Sequence, residues 1–290
     1  MDETALPVNT PDGRLLTAAA FGPHDGHPVL FLHGTPGSRL FSVPDIGLLV
    51  RAGVRLVTYD RPGYGGSTRL PGRSVAQAAQ DAAVVADALS LQRFAVFGYS
   101  GGGPHALAVA AVLGERITRC AAVSSVAPLD AEGLDFFAGM SAGNVEEFDA
   151  ALSGREPLEE AIEPVAAAVR DDVYAFLASL RADVPDVDRA AMDDPELDFL
   201  LAMSMAEALR PGAAGWADDD LAFCRQWGFD VGTVRVPVAI WHGTEDTLVP
   251  VSHAGWLTQA IPGSQGHLVV GAGHFGTLDE LPAVLGWLTD

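Results

Sequence analysis

The chain has 290 residues, 49% hydrophobic and 19% charged, which suits one large ordered domain with a sizeable core and argues against disorder. Its 17 cations, all arginine, stand against 38 carboxylates, and the net charge of −21 opposes nucleic acid and anionic membranes as partners. Cys120 and Cys224 lie too far apart for a metal knuckle or disulfide framework, no stretch of ~18 apolar residues occurs, and Met1–Thr4 carries no basic leader; a cytoplasmic chain is expected.

In chain order, short apolar runs alternate with glycine turns and alanine-rich helical stretches, the pattern of βα units around a mostly parallel sheet flanked by helices. Strands are predicted at 15–21, 29–32, 55–59, 94–97 and 119–127, with a helix over 75–89. Residues 129–212 turn acidic and alanine-rich, broken by Pro157, Pro164, Pro185 and Pro195, with no strand candidate. They read as an inserted helical cap between core segments 1–128 and 213–290. Strands return at 238–241 and 268–270, and 281–288 is a closing helix.

Four glycine-bearing turns follow strands. Gly98-Tyr99-Ser100-Gly101-Gly102 lies between the run 94–97 and an apolar helix through Ala106, Leu107 and Val109. A serine on such a turn is held in a strained backbone with its hydroxyl exposed, and a helix N-terminus behind it favours developing negative charge. His33-Gly34-Thr35-Pro36-Gly37 ends the second strand, so the Thr35 and Gly101 amides can converge on one carbonyl oxygen. His33 reads as a loop brace rather than a catalytic base. The turn after 238–241 delivers Asp246, with Asp130 as the rival acid and Glu245 as a solvated neighbour. The loop after 268–270 delivers His274. The order Ser100, Asp246, His274 leaves room for a crossover helix between the last two. The remaining histidines, His242 included, read as structural or surface residues.

Over nearly its whole length the chain resembles the α/β-hydrolase superfamily. The segments 33–37 and Asp60-Arg61-Pro62-Gly63-Tyr64-Gly65-Gly66-Ser67 are similar to its proline-iminopeptidase-like and esterase branches. The resemblance implies a triad of Ser100, Asp246 and His274, an oxyanion hole at Thr35 and Gly101, and a cap inserted before the acid strand. The chain differs from the iminopeptidases at Thr35, where they carry a second glycine, and at Gly101, where they carry tryptophan. Serine in place of the aspartate nucleophile separates it from epoxide hydrolases and dehalogenases. The expected activity is hydrolysis of a small-molecule carboxylic ester without a cofactor or metal. Cleavage of carbon–carbon or amide bonds, acyl transfer, and ligand binding without catalysis are the alternatives. Phe136, Phe137, Met140, Met203, Met205 and Trp216 are candidates to line the cleft, each with core packing as the competing role.

Overall fold

A computed structural model describes residues 5–41 and 46–290. Met1–Thr4, on which the expectation of an unexported chain partly rests, lie outside the described residues. Among those described, eight strands form one sheet in the order β1-β2-β4-β3-β5-β6-β7-β8. They are β1 (Leu6–Asn9), β2 (Leu15–Phe21), β3 (His27–Leu32), β4 (Val54–Tyr59), β5 (Phe94–Tyr99), β6 (Ile117–Val123), β7 (Val238–Gly243) and β8 (Gln265–Val269). Pairings β1–β2 and β2–β4 are antiparallel and the rest parallel.

Every residue of β5 and β7 is buried, as expected of central parallel strands covered on both faces. The period of two then divides their side chains between two cores. Leu30, Leu32, Val57, Tyr59, Phe94 and Val96 pack on one side, with α2 (Ala78–Ala88), α3 (Gly102–Val112) and α10 (Val251–Ala260). Val29, Phe31, Leu56, Ala95, Phe97 and Tyr99 pack on the other, with α1 (Ile46–Ala52) and α11 (Leu281–Thr289). The predicted strand over 119–127 stops at Val123: the Ser124 N–H still donates in register to the Trp241 carbonyl, but its φ of 47° turns the chain out of the ladder there. The weakly patterned β1 was not foreseen, since four residues carry too little alternation.

Between β6 and β7 the described residues form helices only: α4 (Ala142–Ser153), α5 (Arg155–Asp171), α6 (Val173–Asp183), α7 (Asp186–Met192), α8 (Pro195–Ala208) and α9 (Ala214–Phe223), with a short 3-10 turn at Val231–Thr233. The helical stretch thus runs past residue 212: α9 packs on α4 and α5. Leu158, Ile162, Ala166, Leu209, Trp216 and Leu221 form an apolar cluster closed by Tyr64 of the β4–α2 connection.

Candidate active site

The turn at Ser100 joins the end of β5 to the start of α3. Its φ of 53° lies in the left-handed region that a serine seldom adopts. Two backbone bonds hold it there: the Ser100 N–H donates to the Val123 carbonyl at 2.8 Å, and the Ser100 carbonyl accepts from Gly103 N–H at 2.9 Å. The glycines around it are required by backbone approach. A Cβ on Gly98 would stand 2.1 Å from the Gly102 carbonyl oxygen, and one on Gly102 would stand 2.0 Å from that of Leu32. Ser100 is left half-buried at the carboxyl end of a central strand.

Asp246 and His274 meet beyond the ends of β7 and β8. His274 Nδ1–H donates to Asp246 Oδ2 at 2.8 Å, which leaves Nε2 as the nitrogen free to take a proton. Asp246 Oδ1 accepts the N–H groups of Leu248 at 2.9 Å and Val249 at 2.8 Å, so backbone bonds fix the carboxylate. Burial alone would raise the Asp246 carboxyl, but the His274 charge and the hydrogen bonds from His242 and His274 prevail and hold it well below 3.8. For His274, burial disfavours the imidazolium; the charge and hydrogen bond of Asp246, with Asp188 adding to them, outweigh it and lift the ring above 6.5. The His274 carbonyl accepts from Tyr99 O–H at 3.2 Å and Ser124 O–H at 3.5 Å, tying its loop to the strand that carries Ser100.

The Thr35 loop approaches the same turn. A Cβ on Gly101 would lie 3.2 Å from the Thr35 nitrogen and 2.3 Å from its hydroxyl oxygen, so the threonine side chain occupies the space a side chain at 101 would need. His33 is buried and bonded on both ring nitrogens: Nδ1–H donates to the Gly34 carbonyl at 2.8 Å, and Nε2 accepts from Arg61 N–H at 3.1 Å. It braces two loops. Burial, followed by the nearby Arg61 charge, pushes its ring well below 6.5.

Beneath this loop lies an ionic cluster built around Asp219 of α9. Its Oδ2 accepts from Thr35 O–H at 2.9 Å, from Tyr64 O–H at 2.8 Å and from the Arg61 guanidinium; its Oδ1 accepts from Arg73 at 2.7 Å. His105 donates Nδ1–H to the Gly101 carbonyl at 2.8 Å and faces Asp219 at 3.6 Å. Desolvation, then the Arg61 charge, depresses the His105 ring to about 3, so it is a neutral strut.

Of the residues singled out from sequence, Asp246 and His274 are joined directly, Ser100 and Gly101 share the turn between β5 and α3, and the Thr35 loop lies against Gly101. Asp130 and Glu245 are exposed. The aromatic rings of Phe136 and Phe137 pack with Phe148, with centroids 5.1 Å and 6.2 Å from it, and Phe136 also meets His253 at 4.7 Å. Met140 lies in the same core. Trp216 sits in the apolar cluster of the helices and donates Nε1–H to Glu147 at 2.7 Å; Met205 packs at its margin and Met203 is 38% exposed. Three residues at the site were missed. His242 is buried, donates Nε2–H to the Val249 carbonyl at 2.7 Å and stands 3.3 Å from Asp246 Oδ2. Its i, i+4 spacing to Asp246 across the strand end was the available signal. Asp188 and Asp219 come from helices far along the chain, where nothing local marks them.

A family model described as the alpha/beta hydrolase fold matches residues 27–281. The chain is 28% identical over 254 residues to a non-heme chloroperoxidase of Streptomyces lividans, covering 85% of this chain and 84% of that protein. It is 27% identical over 264 residues to a putative carbamate hydrolase of Variovorax paradoxus, covering 89% of each. Among solved structures, an enol-lactonase of Burkholderia xenovorans superposes with a TM-score of 0.71 at 19% identity, covering 98% of both chains, a likeness of fold.

Proposed function

The chain belongs to the α/β-hydrolase family, and on that premise we propose that it is a serine hydrolase that cleaves carboxylic esters of small molecules. The observation that carries the proposal is the 2.8 Å bond from His274 Nδ1 to a backbone-fixed Asp246, at the same sheet edge as a serine held at φ 53°. Ser100 Oγ attacks the acyl carbon while His274 Nε2 takes its proton. The N–H groups of Thr35 and Gly101, neither of which donates to another protein group among the described residues, receive the oxyanion. The tetrahedral intermediate collapses, and His274 returns the proton to the departing alkoxide. Water then attacks the acyl-serine with His274 again as base, releasing the acid and restoring Ser100. Asp246 keeps the imidazole in the Nδ1–H tautomer throughout.

Esters fit better than amides because their leaving groups need less protonation, and the net charge of −21 disfavours anionic acyl groups. The helices over 129–212 act as the cap that selects the acyl group. The test is turnover of a short neutral ester by Ser100→Ala, together with labelling of the wild type by a fluorophosphonate. Loss of the hydroxyl costs on the order of 10⁴ to 10⁶ in kcat with the fold retained. Wild-type-like turnover by a folded Ser100→Ala chain refutes the mechanism.

A further inference from the structure

The loop that carries His274 is held from outside the sheet. Asp188, on α7, is fully buried, and its Oδ1 accepts the Phe275 N–H at 2.7 Å. A Cβ on Gly273 would fall 2.4 to 2.5 Å from both carboxylate oxygens and their carbon, so the carboxylate lies flat against the backbone on either side of His274. Its Oδ2 has no hydrogen-bond partner among the described residues. The adjacent Arg189 turns away, to Asp186 at 2.7 Å and the Arg181 carbonyl at 2.9 Å. A buried carboxylate with one backbone donor and no paired cation is costly, and such a cost persists where something else uses the charge.

We propose that Asp188 is a positioning residue for the triad: α7 uses it to set the His274 loop and to supply a second negative charge that favours the protonated ring as it forms. Asp246 bonds the ring itself from the loop after β7, whereas Asp188 of α7 and the Tyr99 hydroxyl of β5 bond the backbone beside it, at the Phe275 N–H and the His274 carbonyl; His242 stands beside Asp246. The elevated affinity of His274 for its proton draws on Asp188 after burial and Asp246. One consequence is that the helices meeting the substrate also hold the base, so displacement of α7 loosens the catalytic histidine.

The proposal rests on the serine-hydrolase reading, and the experiment separates the two. The direct measurement is the NMR titration of the His274 ring in the wild type and in Asp188→Asn, which keeps an oxygen to accept the Phe275 N–H but removes the charge. The titration is expected to move to lower pH in Asp188→Asn. An unchanged midpoint overturns the proposal, whether or not any ester is turned over. Asp188→Ser, also neutral and able to accept the N–H, serves as the second variant if the asparagine chain does not unfold cooperatively. The kinetic arm compares kcat for a short ester at a pH where the ring is neutral in all variants. Asp188→Ala, which loses the loop bond as well as the charge, is expected to fall roughly 10- to 100-fold, and Asp188→Asn, which loses the charge alone, by a smaller factor. Equal losses in the two variants, or changes confined to KM, contradict the positioning role. Absence of ester turnover by the wild type defeats the functional reading alone and leaves the titration to decide.

Discussion

Replacing Asp219 by asparagine removes the charge at the centre of the buried cluster while keeping its shape. The carboxylate receives hydrogen bonds from Thr35, Tyr64, Arg61 and Arg73, and the side chains of Arg61 and Arg73 are only 1% and 3% exposed. In the variant both guanidinium groups lose their shared counter-ion, and the new NH₂ group points a donor at other donors. Arg73 retains a weaker partner, Asp218 at 3.6 Å; Arg61 retains the His33 and Gly34 carbonyls and the Thr35 hydroxyl, none of them charged. Breaking a buried pair in this way costs about 3–5 kcal/mol. Spread over the unfolding entropy of a chain of this length, that lowers Tm by roughly 5–8 °C, read by calorimetry or urea titration. Burial raises the Asp219 carboxyl, but the charges of Arg61 and Arg73 outweigh it and hold it far below 3.8. A group depressed on folding stabilises above its unfolded value and loses that contribution as pH falls through the folded one. The gap between wild type and variant should therefore be level from pH 5 to 8 and shrink only in strong acid. A destabilisation below about 1 kcal/mol, or a gap that vanishes by pH 5, refutes the account of this cluster.

Asp246→Asn should depress kcat/KM for a short ester by about 10⁴, as expected when the imidazole is left in the wrong tautomer, while Asp130→Asn should leave it near wild type; the reverse ranking would move the acid to the earlier strand. The kcat/KM profile should rise with pH through a limb above 6.5, because His274 must be neutral to accept the serine proton and Asp246 raises its affinity. That limb should be indifferent to chelator, and a flat profile or activity restored by zinc would contradict the base. Met203→Ala, at a half-open position on α8, should alter the relative rates on short and long acyl esters without changing the pH limb. An unchanged preference across several such variants would place selectivity at the Thr35 and Ser100 turns instead.

What the sequence made legible were features written in consecutive residues. The runs 94–97 and 238–241 are apolar throughout because their strands are buried on both faces, and the glycines that follow exist because backbone must pass within contact distance of backbone. Such constraints mark Ser100 and Asp246 within a few positions of a strand end; His274 follows β8, none of whose residues is buried, and is marked by the glycines of its loop. The end of β6 was misplaced because Ala121-Ala122-Val123-Ser124 gives no warning that the serine turns left-handed. His242 was passed over for a related reason. Its strand position is apolar in character, and only the return of the chain at Val249 converts it into a partner of Asp246.

The acidic texture of the helices between β6 and β7 places Glu156, Glu160 and Asp193 in solvent but not the carboxylates that matter most. Glu207 of α8 reaches Arg39 at 2.6 Å, and Arg39 in turn binds Asp60 at 2.7 Å. Asp219 of α9 holds Thr35, and Asp188 of α7 holds the loop of His274. Ser204 of α8 accepts the Ser38 N–H at 3.0 Å. Apart from Arg39–Asp60, which joins two loops, each contact runs from a helix between β6 and β7 to a loop at the carboxyl ends of the strands. Composition cannot distinguish these carboxylates from exposed ones, since the difference lies in the cations and amides that the fold brings to them. The same contacts mean that the helices cannot be removed as a separable lid. Without them Arg39 loses Glu207, Arg61 and Arg73 lose Asp219, and the Thr35 and His274 loops lose the side chains that fix them.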